Sequence, residues 1–240
     1  MLEIKDLNSE IEGKKILEGF SYKFEKGKVY AIMGQNGSGK STFANSLMGN
    51  PKFDVKGSVI LNGKNLLDLK PEDRSKEGLF LSFQYPEVIE GLKISSYLRS
   101  IVNARREKPI SVPDFDDKLK DALSKLGLEE DFVKRQLNVG LSGGEKKKCE
   151  MLQMLLLNPE VIILDETDSG LDIDAIKIVA NSVNSFKSPD KIIIVITHYK
   201  KMLELVKPDE VLILKNGKIS MSGGDEIINR LEEEGYGWLD

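Results

Sequence analysis

A single cysteine, Cys149, stands in the 240 residues, which excludes an internal disulfide. The opening stretch MLEIKDL lacks the charged and apolar regions of a secretory signal, and both features point to a reducing cytosol. Long hydrophobic runs are missing too. The longest purely apolar stretches, such as Ile192 to Ile196, supply about a quarter of the ~20 residues that a membrane-spanning helix needs, so no direct membrane insertion is expected. Positive charge is not in surplus: 35 Lys and Arg face 39 Asp and Glu, a net charge of -4, which argues against nucleic acid as a partner. Neither low-complexity segments nor internal repeats occur. What remains is an ordinary globular composition, 40% hydrophobic and 31% charged, at a length that buries roughly 70 to 75% of the unfolded surface.

Short apolar runs at Val29 to Met33, Leu79 to Phe83, Val161 to Leu164, Ile192 to Ile196 and Val211 to Leu214 lack two-residue alternation. That pattern predicts strands buried on both faces, a parallel α/β core. Leu2 to Leu7, Lys15 to Phe24 and Ser58 to Leu61 read instead as half-exposed strands bounded by polar turns, an antiparallel β-subdomain. Between Pro86 and Asn138 the apolar residues take helical spacing, as at Leu119, Ala122, Leu123 and Leu126, with Pro109 and Pro113 as interruptions. The reading is one domain: core with β-subdomain over 1–85 and 159–222, helical subdomain over 86–158, and an acidic tail over 223–240, helical before Gly235 and without recognisable chemistry.

The segment GQNGSGKST follows the strand ending at Met33 and opens a helix, the setting a phosphate loop requires. Gly34, Gly37 and Gly39, with Asn36 and Ser38 between them, let the backbone wrap around phosphate oxygens, and the helix start supplies N–H donors. Lys40 is placed to reach the β- and γ-phosphates, Ser41 to offer its hydroxyl to Mg²⁺, and Thr42 to approach the α-phosphate. VIILDE delivers Asp165 and Glu166 at the carboxyl end of a strand, where parallel sheets bind ligands. Asp165 suits Mg²⁺ coordination, and Glu166 suits the general base that orients the attacking water. Ser142, with Glu145 three residues on, matches a helix N-cap that presents a hydroxyl and free N–H groups to an anion. A phosphate loop and an acidic strand alone leave kinases, GTPases and many ATPases open.

LSGGE at Leu141 to Glu145, Gln84 after a strand, SGLD at Ser169 to Asp172 and His198 after a strand stand in one order around that loop. The chain thereby resembles the ABC ATPase family along its whole length. The resemblance implies a nucleotide-binding domain with a RecA-like parallel-sheet core, ATP and Mg²⁺ as cofactors, and hydrolysis to ADP and phosphate. It implies that Gln84 senses Mg²⁺ and the water and that His198 contacts the γ-phosphate. It also implies that Ser142, Gly143 and Gly144 meet the ATP of a second copy, in a transient homodimer formed on ATP.

FQYPEVIEGL from Phe83, GGEKKKCEMLQM from Gly143, LDETDSGLDIDAIK around Glu166 and EEGYGWL near the end are similar to the Suf-type ABC ATPases of iron–sulfur cluster assembly. That resemblance implies a cytosolic motor acting on SufB-like and SufD-like scaffold proteins, coupled through Gln84 to Ile94. The ATP-binding subunit of a membrane transporter would use the same chemistry. Gln35 stands where Pro is common, Lys148 where Arg is usual, and Glu12 near the place of an adenine-stacking aromatic ring. Cys149 reads as a small buried residue rather than a cluster ligand, since one thiolate cannot supply four ligands. Lys146 to Lys148 read as a solvated helix face.

Overall fold

The computed structural model describes residues 1–84 and 86–239. The chain opens with β1 (Leu2–Ile11), β2 (Lys14–Phe24), β3 (Lys28–Met33), α1 (Lys40–Met48), β4 (Asp54–Leu61), β5 (Lys64–Asn65), α2 (Pro71–Lys76) and β6 (Leu79–Ser82). A mainly helical stretch follows: β7 (Ile89–Lys93), α3 (Ile94–Ala104), α4 (Val112–Lys125), β8 (Gln136–Leu137) and α5 (Gly143–Leu157). The remainder is β9 (Val161–Asp165), α6 (Ile173–Ser185), β10 (Ile192–Ile196), α7 (Lys200–Val206), β11 (Glu210–Lys215), β12 (Lys218–Gly223) and α8 (Asp225–Glu234).

The five unalternating apolar runs form β3, β6, β9, β10 and β11, all parallel, in a sheet ordered β12-β11-β3-β10-β9-β6. Burial on both faces explains their composition. Ile192, Ile194 and Ile196 of β10 face one hydrophobic cluster, whereas Ile193 and Val195 face another. The first cluster joins the sheet to α1 through Phe43, Ala44 and Leu47, and to the antiparallel sheet β2-β1-β4-β5 through Leu2, Ile4, Phe20 and Phe24. The second joins it to α3, α4, α5 and α6, so residues 86–158 share a core with the sheet face. The α/β architecture read from the sequence is the observed one.

Several local expectations are corrected. β12 pairs antiparallel with β11 at the sheet edge, and β7 pairs with β8; the sequence reading contained neither. β6 stops at Ser82 because the N–H of Phe83 turns from the sheet to Glu150 (3.0 Å). Pro113 interrupts no helix. It lies in the first turn of α4, where the missing N–H has no intrahelical partner to lose, and Ser111 caps the start. Cys149 is fully buried, as expected, and burial pushes its thiol up to about 12. We expect no alkylation of Cys149 by iodoacetamide in the native protein and complete reaction in denaturant, scored by mass spectrometry. Rapid labelling of the folded chain would contradict this packing.

Candidate functional site

Register brings the chemistry to one edge. In β3, β10 and β9 the parallel ladders align Ile32, Ile196 and Asp165 in one row, and Ser82 of β6 lies beside Leu164. The residues that follow, Gly34 onward, Glu166, His198 and Gln84, therefore leave the sheet side by side at the carboxyl ends of adjacent strands.

Glycine is required where the loop leaves β3. Gly34 has φ 157°, and a Cβ there would stand 2.3 Å from the carbonyl oxygen of Leu214. Gly39, left-handed at φ 107°, caps the start of α1 and has the side chain of Leu17 2.9 Å from any added Cβ. The Lys40 ammonium is buried inside the loop and donates to the carbonyls of Gly34 (2.8 Å) and Gln35 (3.1 Å). Burial holds its pKa below the ordinary lysine value, against the pull of Glu166 and Asp165. Ser38 Oγ is buried with no hydrogen-bond partner among the described residues. The loop thus carries an unspent hydroxyl and a cation whose hydrogen bonds go to neutral carbonyls, a set that fits phosphate oxygens.

Ser41 Oγ donates to Asp165 Oδ1 at 3.1 Å, and the carboxyl of Asp165 is pushed up to about 6, chiefly by burial. No group of three or more His, Cys, Asp or Glu poised for a metal occurs among the described residues. One hydroxyl and one buried carboxylate are hard oxygen donors of the kind that hold Mg²⁺ together with phosphates and water.

Glu166 is held in an unusual backbone conformation. Its φ is 47°, left-handed for a residue that bears a side chain, while its N–H donates to Ile196 (2.9 Å). Such a conformation costs of order 1–3 kcal/mol and aims the side chain into the cleft. There Glu166 Oε2 accepts from Gln84 Nε2 at 2.6 Å, and His198 Nδ1 stands 3.7 Å from Oε1. Gln84, Glu166, Lys40, Ser41, Lys14 and Ile16 line a cleft of about 430 Å³, and His198 reaches it only through its approach to Glu166. Glu12 lies in the exposed β1–β2 turn and is not among the lining residues.

Two groups supporting the site carried no signal in the sequence reading. Lys147, expected on a solvated face, is buried: its ammonium meets Glu150 at 2.8 Å and donates to the carbonyl of Phe83 at 2.6 Å. Glu150 also accepts from Ser82 Oγ (2.9 Å) and the Phe83 N–H, so α5, the helix that opens within the LSGGE signature, grips the two residues before Gln84. Burial pushes the Glu150 carboxyl up, and Lys147 pulls it back. Asp168, buried, accepts from the hydroxyl of Thr197, which in turn accepts from the N–H of Tyr199, so the loops after β9 and β10 are tied together around His198.

Ser142 is the N-cap of α5. Its hydroxyl accepts from the Glu145 N–H (3.3 Å) and its own N–H donates to Glu145 Oε2 (2.8 Å), a reciprocal capping box, with Arg135 on Glu145 at 2.5 Å. Ser142 and Gly143 are exposed, Gly144 half-buried, and none of the three lines the cleft that holds Lys40. The structure brings together the loop, Gln84, Asp165, Glu166 and His198, and leaves Ser142 and Gly143 exposed outside that cleft. No helix among the described residues is long and apolar enough to cross a membrane.

The model of the ABC transporter family matches residues 17–169. The probable ATP-dependent transporter SufC of Escherichia coli is 46% identical, covering 100% of this chain and 98% of that protein. Vegetative protein 296 of Bacillus subtilis is 45% identical over 99% of this chain and 92% of its own. The probable ATP-dependent transporter ycf16 of Cyanophora paradoxa is 46% identical, over 100% and 94%. Among solved structures, the ATP-binding subunit of an ABC transporter has a TM-score of 0.81 at 28% identity, covering 100% of this chain and 95% of that one. The dimeric bacterial cassette MJ0796 shares the fold, with a TM-score of 0.81 at 22% identity over 93% and 98%. With a matching family model over most of its length and full-length relatives that include SufC, the chain belongs to the ABC transporter family of ATP-binding cassettes and is an ATPase.

Proposed function

We propose that this ATPase is the motor subunit of an iron–sulfur cluster assembly complex, dimerising on ATP to remodel a scaffold of SufB-like and SufD-like proteins in the cytosol. The observation that carries the reading is the full-length similarity to SufC, including the segments around Phe83, Gly143 and Glu166. Exposed large hydrophobic residues close to Gln84 in sequence, Phe83, Val88 and Ile89, support it, and the Lys147–Glu150 grip ties Phe83 to the signature helix. Nucleotide state at Gln84 then has a short mechanical route to whatever covers that patch.

In this mechanism Gly34 to Thr42 cradle the phosphates, and the Lys40 ammonium exchanges two backbone carbonyls for β- and γ-oxygens. Ser41, Asp165 and Gln84 would hold Mg²⁺, which when bound would supply positive charge to offset that of the phosphates. Gln84 gives up its bond to Glu166 and positions a water; Glu166 takes the proton as the water oxygen attacks the γ-phosphorus and the bond to ADP breaks. His198 contacts the γ-phosphate. Ser142, Gly143 and Gly144 close the site of a second copy, consistent with the exposure of Ser142 and Gly143 and with all three lying outside the cleft of the chain's own loop.

Affinity purification of the tagged chain from its host tests the assignment: soluble scaffold proteins should copurify and raise ATP turnover. Recovery of a membrane permease with no soluble scaffold would sink it in favour of a transporter subunit. Ser142→Ala tests the closing of the site. Loss of the cap costs helix α5 about 1 kcal/mol, which the fold tolerates. ATP-driven dimers of the hydrolysis-impaired protein should weaken about tenfold or more, with MgATP binding by the single chain unchanged, as read by sedimentation. Dimers of undiminished strength would place the signature elsewhere.

A further inference from the structure

The tail, expected to add no chemistry, reaches the phosphate loop. After α8 the chain turns at Gly235, and the Tyr236 hydroxyl accepts the N–H of Gly34 at 3.1 Å, across 202 positions of sequence. Leu239 is buried in a cluster with Ala31 and Met33 of β3 and Val211 and Ile213 of β11. The Lys215 ammonium donates to the Leu239 carbonyl, and the Arg230 guanidinium lies 4.0 Å over the ring of Trp238. A cavity of about 360 Å³ lies between the loop residues Gln35–Ser38, the β11–β12 turn and this segment, with Tyr236 in its wall. The hydroxyl of Tyr236 therefore tethers the loop beside open space rather than within a dry core.

Gly34 is where the backbone turns from strand into loop, and both its polar groups are in use: the N–H on Tyr236, the carbonyl on Lys40. Fixing that N–H fixes the peptide plane from which the loop's donors are aimed. We propose that Tyr236 is a positioning residue for the phosphate loop, and that the segment Tyr236–Leu239 is coupled through it to nucleotide occupancy. Coupling is reciprocal: if the tail raises affinity for nucleotide, nucleotide must order the tail by the same factor. Trp238, the sole tryptophan of the chain, reports that ordering. The inference rests on Gly34 to Thr42 being the phosphate loop of this ATPase.

The experiment compares the full-length wild type, Tyr236→Phe, Lys215→Met and Lys40→Ala. MgADP affinity is measured by calorimetry, ATP turnover at steady state, and acrylamide quenching of Trp238 with and without MgADP. In Tyr236→Phe the Kd for MgADP and the KM for ATP should rise about five- to tenfold, the worth of one hydrogen bond. Its kcat should stay within about twofold while its thermal midpoint falls by no more than about 4 °C, a split between KM and kcat that a merely structural role would not produce. MgADP should protect Trp238 from acrylamide in the wild type and fail to do so in Tyr236→Phe. Lys215→Met, which removes the other tether and leaves the tyrosine, should shift affinity in the same direction. MgADP affinity of Tyr236→Phe within twofold of wild type overturns the proposal whatever the quenching shows. Lys40→Ala separates the two failures: undiminished nucleotide binding by that variant would refute the phosphate-loop assignment itself.

Discussion

Replacing Glu166 with Gln should lower ATP turnover about 10³-fold while leaving the fold and MgATP binding intact, a loss in the middle of the range for removal of a general base. The structure explains why the two effects separate. A glutamine oxygen accepts the Gln84 amide as the carboxylate does at 2.6 Å, and the left-handed backbone at φ 47° is no more strained with an amide than with an acid. Only the capacity to take a proton is lost. Bound ATP then persists, and the ATP-driven dimer should accumulate in gel filtration where the wild type does not hold it. Unchanged turnover by Glu166→Gln would remove Glu166 from the role of base and leave His198, 3.7 Å away, as the nearest alternative.

The second large effect is on stability. Glu150→Ala should cost about 3–5 kcal/mol in urea unfolding, because it leaves the buried Lys147 ammonium without its counterion. Both side chains are about 5% exposed, and the Ser82 hydroxyl and Phe83 N–H lose their acceptor in the same change. Adding Lys147→Met to Glu150→Ala should recover part of the loss, since no charge then remains buried. An exposed pair on the same protein, Lys177 and Asp174, provides the contrast: Asp174→Ala should leave the unfolding midpoint where it was. A loss under about 1 kcal/mol for Glu150→Ala would mean that water reaches the pair, and the α5–β6 grip would not be the rigid link described.

Much of the architecture was legible because its causes are local. The β-branched runs of β9 and β10 announce burial on both faces, and Gly37 and Gly39 of the loop take left-handed φ of 80° and 107°, which glycine adopts without strain. The capping box at Ser142 is a three-residue relation and was readable as such. Lys147 was not, since three consecutive lysines give no hint of which one turns inward. That choice depends on Glu150 one helical turn on and on the carbonyl of Phe83 across the helix–strand junction. The edge strand β12 and the short β7–β8 pair were missed because both owe their form to a partner strand rather than to their own composition.

By itself the sequence determined the five buried strands of the parallel sheet, the glycine-rich loop, the acidic end of β9 and the capped start of α5, and hence the family. Those are consequences of side-chain periodicity and short-range hydrogen bonding. Tertiary structure alone decided that Glu166 adopts a left-handed backbone under the carbonyl of Ile196, that Asp168 joins Thr197, and that Tyr236 reaches Gly34. Each contact links residues 29 to 202 positions apart, apart from the backbone angle itself, which follows from the β9–β10 register. The sequence places no distance between such residues; the packing of the parallel sheet supplies it.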